Sequence, residues 1–315
     1  MREQRFPLGI DLGANGIRIC EISGPRPHVR NILTSRRAAG SGEAEAITAL
    51  RALLAEMRTR ERRCVMVLDD RDALVRELAL PPMSHAERMR AAKIEAERLF
   101  PAHPGFVLTV TTARERVSIV GATAKESIER LIRITRAVKL RLVGIDHAGY
   151  ALRRAYPAPD AILDIGLNCT RFYAYGSGVP FMLLLETGGA HFTRAVAESF
   201  AIDFESAEGR KRMHGAEPAG ERELAAIAQF LGRAMRSARQ AGIPDIERIL
   251  LTGNGARGAQ LLKRLTRDTG CIVESAERIG NCALPFPEDV VRAAAPEWGL
   301  ACGAALWSFA EDSAP

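Results

Sequence analysis

Aromatic residues are scarce in this chain: Phe, Trp and Tyr together make up 5% of its 315 residues. A surface that grips nucleic-acid strands interleaves aromatic stacking platforms with basic side chains. The chain is basic, with a formal net charge of +6. Its Arg residues are scattered along helical stretches such as Arg222–Arg239, and no basic cluster interleaves with aromatics, so no nucleic-acid partner is expected. Long apolar runs are missing too. None reaches the roughly 18 residues that cross a bilayer, and the N-terminal stretch has no signal-peptide core. No direct membrane insertion is expected, and any membrane role then runs through a partner. The six cysteines (Cys20, Cys64, Cys169, Cys271, Cys282, Cys302) lie far apart, and none forms a C-x-x-C pair. Several sit in apolar runs such as Cys64-Val-Met-Val. That fits reduced, buried thiols in a reducing compartment, not disulfides or zinc ligands. There is no G-x-x-x-x-G-K-[ST] loop, no G-x-S-x-G elbow and no H-E-x-x-H pair. The His residues show no metal-ligand spacing, and Asp69-Asp70-x-Asp72 reads as a capped turn.

What is present is an ordinary globular composition, 47% hydrophobic and 26% charged, in a chain too long for one small core. Short apolar strands alternate with helical stretches, which predicts an α/β fold. Residues 8–22 read as two strands around a Gly-rich turn. Residues 43–58 read as a helix with Ile47, Leu50 and Leu54 on one face, and Cys64–Leu68 as a buried strand. The texture changes near Asp69. Ser84-x-x-Glu87 is a capping-box pattern opening a helix that Pro101 and Pro104 end, followed by a strand at Val117–Gly121 and a helix over about 125–139. A second series follows: a strand at Ala161–Ile165, a hairpin over Arg171–Tyr175 and Val179–Leu185, and helices at about 190–200, 203–214 and 222–241. Arg248–Thr252 is another buried strand, followed by a helix to about Thr269, and Trp298–Trp307 is a small-residue helix. The predicted organisation is a first lobe over 1–69, an inserted α+β subdomain over 70–139 and a connecting helix over 140–158. A second-lobe core over 159–189, a helical part of that lobe over 190–284 and a C-terminal helix over 285–315 complete it.

One internal echo organises the rest. Leu8-Gly-Ile-Asp-Leu-Gly-Ala-Asn and Ile162-Leu-Asp-Ile-Gly-Leu-Asn both run apolar strand, Asp, x, Gly, x, Asn. They lie about 150 residues apart, half the chain, which suggests two related lobes offering similar loops to one cleft. Asp11 and Asp164 cannot bind phosphate directly, because like charges repel, but each can hold a hydrated Mg²⁺ that carries phosphates. They are also the candidates for any catalytic role. Gly13 and Gly166 let backbone N–H groups approach phosphate oxygens as an anion nest. Asn15, Asn168 and Thr170 add side-chain hydrogen-bond groups, and Arg18 a fixed positive charge. On this reading Asp11→Ala removes Mg·ATP binding and leaves the fold intact. The third loop, Thr252-Gly253-Asn254-Gly255-Ala-Arg257-Gly, follows a strand and opens a helix, a place for an adenosine edge or a phosphate. Its glycines also spell a dinucleotide fingerprint with Glu274 at the matching distance. Only some 40 residues follow Glu274, too few for the rest of such a sheet.

Taken in order, these pieces resemble the actin-like ATPase superfamily, with its two-lobed, ribonuclease H-like fold. Leu8–Arg18 resembles its first phosphate loop, Gly144–Tyr156 the first connecting helix, and Ile162–Thr170 the second phosphate loop. Ile249–Gly258 resembles the adenosine motif and Trp298–Leu306 the second connecting helix. Within it the chain is similar to the type IV pilus assembly protein PilM family, relatives of the cell-division protein FtsA. Glu77-Leu-Ala-Leu-Pro-Pro-Met-Ser, Ala92-Lys-Ile-Glu-Ala-Glu-Arg-Leu-Phe-Pro, Val143-Gly-Ile-Asp and Thr187-Gly-Gly-Ala-His-Phe-Thr carry that likeness. With Ala207-Glu-x-x-Lys, the last segment makes Gly188, Gly189, Glu208 and Lys211 nucleotide contacts by resemblance. The family implies ATP and Mg²⁺ as cofactors. It also implies a cytoplasmic protein at the inner face of the inner membrane, bound to the N-terminal cytoplasmic tail of a PilN-like partner beside the inserted subdomain. Self-association is left open. Where the family's first loop usually offers Ser residues and a Lys, this chain has Ala14, Gly16 and Arg18. Nucleotide binding with weak or absent hydrolysis is therefore the expectation. The alternatives are a nucleotide-free docking module and a small-molecule kinase of the same superfamily with Asp164 or Asp146 as base.

Overall fold

The computed structural model describes residues 6–24, 26–36, 42–68, 71–100, 105–114, 117–156, 159–176, 178–256, 259–280 and 282–307. Along the first part run β1 (Leu8–Gly13), β2 (Gly16–Ser23), β3 (His28–Arg36), α1 (Glu43–Met57) and β4 (Arg63–Leu68). The inserted part holds β5 (Ala73–Ala79), α2 (His85–Leu99), β6 (Phe106–Arg114) and β7 (Val117–Ala124). Then come α3 (Lys125–Ala137), β8 (Arg141–His147) and α4 (Ala148–Ala155). The remainder comprises β9 (Ala161–Ile165), β10 (Thr170–Ala174), β11 (Phe181–Leu185), α5 (Gly189–Phe200), α6 (Phe204–His214) and α7 (Glu221–Gln240). It ends with β12 (Arg248–Thr252), a 3₁₀ turn at Asn254–Ala256, α8 (Ala259–Thr269), β13 (Ile272–Ser275) and α9 (Glu288–Ala305).

The sequence echo is an architectural one. The first sheet has the order β3-β2-β1-β4-β8 and the second β11-β10-β9-β12-β13. In each, the Asp-bearing strand pairs antiparallel with the strand after it and parallel with a later strand. Each sheet packs outward helices into its own core. In the first lobe, Ala46, Leu50, Leu53 and Met57 recur at helical spacing along α1 and meet Ile10, Ile17 and Met66. In the second, Leu224, Ile227 and Leu231 of α7 meet Leu163 and Phe172. A third core lies between the sheets, where α4 and α9 cross. Helix α4 leaves the first sheet and packs against Ile162 and Tyr173 of the second. Helix α9 leaves the second and packs against Cys20 and Ile22 of the first. The crossing is built from small residues: a Cβ on Gly303 would collide with the Ala151 carbonyl, and one on Gly9 with the Ala301 carbonyl.

The inserted sheet has the order β5-β7-β6 and its own core of Leu78, Ala92, Phe100, Val110, Val120 and Ala122. Helix α2 opens with the expected capping box: Ser84 N donates to Glu87 Oε2 (2.8 Å), and Glu87 N to Ser84 Oγ (3.4 Å). Helix α3, read from the sequence as part of the insert, packs Leu131 and Ile134 into the first-lobe core beside α1. Strands β3, β5 and β6 and the strand half of 141–155 went unread. In β3 the burial alternates irregularly with exposed polar positions, so no apolar run marks it. Helix α9 begins ten residues before the predicted start, because Pro296 lies inside it and reads as a helix breaker. All six cysteines are free, and all but Cys282 are buried. No described helix is long and apolar enough to cross a membrane.

Candidate functional site

Three loops leave the ends of central strands and converge: Gly13–Gly16 after β1, Gly166–Cys169 after β9, and Thr252–Asn254 after β12. With Pro296 and Glu297 of α9 they enclose a cavity of about 170 Å³. Ligands of open α/β sheets bind outside the carboxyl ends of strands, and this cleft has that position in both lobes. Asp11, Gly13, Asn15, Arg18, Asp164, Gly166, Asn168, Thr252, Gly253 and Asn254 all line it. Thr170 does not: its Oγ1 donates to Thr187 O (2.7 Å) in a fully buried position. Arg257 and Gly258 lie outside the described residues.

The two Asp residues are already engaged. Arg18 stands opposite Asp11 in the β1–β2 register, with Nη1 3.2 Å from Asp11 Oδ2. Arg171 stands opposite Asp164 in the β9–β10 register, with Nη1 3.5 Å from Asp164 Oδ2. Arg171 was missed from the sequence although its signal was there. Both echoes run on to an Arg seven positions after the Asp, so the repeat is D-x-G-x-N-x-x-R. The glycines serve that pair. A Cβ on Gly13 would lie 2.5 Å from Arg18 Nη1, and one on Gly166 3.4 Å from Arg171 Nη1. Neither glycine has a positive φ, so the left-handed backbone of an anion nest is not what selects them. Gly253, at φ +85°, does need that freedom, and a Cβ there would crowd Ile165 O.

Arg18 also ties the lobes together. Its Nη2 donates to Asn15 Oδ1 (3.3 Å) and lies 3.8 Å from Glu297 Oε2. With its amide nitrogen donating to the Glu297 carboxylate, Asn254 accepts from Arg18 Nη2 (2.8 Å) and Asn15 Nδ2 (3.2 Å). Glu297 is held at this point because the neighbouring Pro296 carbonyl accepts from Thr252 Oγ1 (2.7 Å) and Gly253 N (2.9 Å). The Nε of Arg18, in a residue only 5% exposed, has no acceptor.

Gly188, Gly189, Glu208, Lys211 and Gly255 form a neighbouring cluster in the second lobe. A Cβ on Gly188 would press on Gly166 O, and one on Gly189 would approach both Lys211 Nζ and Gly255. Lys211 Nζ donates to Gly189 O (3.0 Å), Thr193 Oγ1 (2.6 Å) and Glu208 Oε2 (2.6 Å). Burial pushes the Glu208 carboxyl up, but hydrogen bonds from Lys211, Thr193 and Arg212 outweigh it and hold Glu208 down at about 2. Burial in turn lowers Lys211. Asp146 is buried and pushed up to about 6 by loss of water, against the pull of Arg154. Arg154 bridges it to Gly303 O. His147 caps α4, its Nδ1 accepting from Gly149 N (3.1 Å). Glu274, the residue a dinucleotide fold would turn to a ribose, pairs with Arg248 on the surface (3.1 Å).

The sequence profile of type IV pilus assembly protein PilM matches residues 9–309. The chain belongs to the type IV pilus assembly protein PilM family. No curated protein sequence matches it. Among solved structures it is similar to a PilM–PilN type IV pilus biogenesis complex, at TM-score 0.86 and 26% identity. That likeness covers 96% of this chain and 98% of the other. It also resembles the ethanolamine utilization protein EutJ from Carboxydothermus hydrogenoformans (TM-score 0.61, 17% identity, 96% and 89% covered). A third likeness is to (R)-2-hydroxyglutaryl-CoA dehydratase component A from Acidaminococcus fermentans (TM-score 0.53, 11% identity, 98% and 100% covered). The fold is that of the actin-like ATPases, and it is consistent with nucleotide binding.

The PilM family cleft in this chain suits phosphate better than metal. Two guanidinium groups, one from each lobe, line it, and Arg18 Nε is a buried donor in want of an acceptor. Mg²⁺ needs near-octahedral oxygen ligands. Asp11 and Asp164 are each bonded to an Arg, and Ala14 and Gly16 bring no hydroxyl. The residues present do not fit a divalent ion.

Proposed function

We propose that this chain is a cytoplasmic scaffold of a type IV pilus assembly machine, or of a related secretion or DNA-uptake machine. It docks the N-terminal cytoplasmic tail of a PilN-like inner-membrane protein and binds ATP between its lobes. The observation that carries the docking half is the end-to-end likeness to the PilM–PilN complex at 26% identity. The inserted subdomain supports it, since Ile94 of α2 is 78% exposed and Val107 of β6 41% exposed. Apolar side chains left in water suit a surface that a peptide covers. Partner and nucleotide are coupled if ATP binds the state that holds the tail better. Turnover is weak or absent, because both candidate bases, Asp146 and Asp164, are held by arginines.

A second reading, a docking module that needs no nucleotide, has one observation in its favour. Arg18, Asn15, Asn254 and Glu297 already bridge the loops around a cavity of about 170 Å³, below the roughly 300 Å³ at which ligand pockets begin. One pair of titrations separates the two. A labelled PilN-like tail peptide is titrated with the full chain by fluorescence anisotropy, with and without ATP. Saturable peptide binding that ATP strengthens supports the first reading, and binding indifferent to ATP the second. Failure to bind the peptide at all removes the docking half.

A further inference from the structure

We infer that the cleft takes the phosphate chain of a nucleotide without a divalent ion, Arg18 and Arg171 standing where the metal would. This rests on the nucleotide-binding reading above. In each lobe the carboxylate that would carry hydrated Mg²⁺ is the cross-strand partner of an Arg and is ion-paired to it. The arrangement is built in twice. Gly13 and Gly166 leave the space that the guanidinium groups fill, and the same D-x-G-x-N-x-x-R repeat specifies both. A divalent ion would have to displace a guanidinium from its carboxylate or sit beside two fixed positive charges. A phosphate chain meets the opposite situation. Arg presents five donors in a planar fork, so one edge can keep its Asp while another takes a phosphate oxygen. Arg18 shows such a spare donor: Nε is buried with no acceptor. The opposing charge is Glu297, which shares Arg18 and Asn254 with the incoming anion and weakens its binding.

Thermal shift and calorimetric titration of the full chain test this, using ATP, ADP and pyrophosphate, each in EDTA and in excess Mg²⁺. The expected result is binding in EDTA that Mg²⁺ changes by less than about twofold, where a metal-bridged site loses tenfold or more. Arg171→Gln should weaken ATP in EDTA by about tenfold, and Arg171→Lys, which keeps the charge but not the fork, by less. Glu297→Gln should tighten it by a few fold. The lysine variant keeps the test open should the glutamine variant fail to fold. Binding that appears only with Mg²⁺ would overturn the inference, as would binding in EDTA untouched by either Arg171 variant. Absence of any nucleotide binding removes it together with the nucleotide half of the proposed function. Tail-peptide binding in the same preparation would then leave the docking half standing.

Discussion

Arg18 touches Asp11, Asn15, Asn254 and Glu297 from a position 5% exposed, so a change at Asp11 acts on fold and ligand together. The sequence reading expects Asp11→Ala to remove Mg·ATP binding with the fold intact. The ion pair changes that expectation. Removing one partner of a buried pair leaves a charge that water cannot reach, at a cost of about 3 kcal/mol. Urea denaturation should show that loss for Asp11→Ala, partly offset by Glu297. Arg18→Met keeps the bulk but leaves both Asp11 and Glu297 without their cation, and should lose at least as much. Glu208 gives a pH test. Its carboxyl is held at about 2 in the folded protein, against 4.5 ordinarily. The native state therefore stays ionised where the unfolded chain takes up a proton. Its contribution is complete above 4.5 and is lost as pH falls through about 2. Glu208→Gln should be less stable than wild type at pH 7, by about 1 kcal/mol. The gap should narrow in denaturation curves taken at pH 3.

Helices α4 and α9 show what an element contributes beyond its own residues. Each leaves one sheet and packs on the other, so their crossing couples the lobes. The helices meet too closely for a Cβ at Gly303. Gly303→Ala should therefore cost about 1–3 kcal/mol by overpacking, read as a lowered Tm with one cooperative transition. A gain from reduced backbone freedom is the reverse outcome. The small residues of Trp298–Trp307 made a helix legible, but which backbone it approaches was not. Helix α3 makes the same point. Its amphipathic pattern was readable, yet the insert and the first lobe could both have used its apolar face, and only packing assigned Leu131 and Ile134 to the first-lobe core.

At the scale of the molecule, the lobes are joined at their loops by Asn254, which receives from Arg18 and Asn15 and donates to Glu297. Asn254→Ala removes hydrogen bonds to charged groups, each worth about 1.5–3 kcal/mol. Amide exchange at residues 13–16 and 253–255 should quicken by about tenfold, with the helices of the outer cores unchanged. Unaltered exchange would mean that the α4–α9 crossing alone sets the cleft. The sequence by itself determined the two-lobed α/β plan, because an Asp-x-Gly-x-Asn loop after an apolar strand is a local pattern and its recurrence needs no coordinates. It also marked the three loops, since glycines and polar residues punctuate strand ends. Only the tertiary structure decided what those loops do to one another. Arg18 and Arg171 reach their carboxylates across antiparallel strands, and Asn254 reaches Arg18 across the cleft. The two Asp–Arg pairs follow from a local hairpin register that the repeated spacing already carries. The Asn254 contact depends instead on lobe placement, which sequence spacing does not encode.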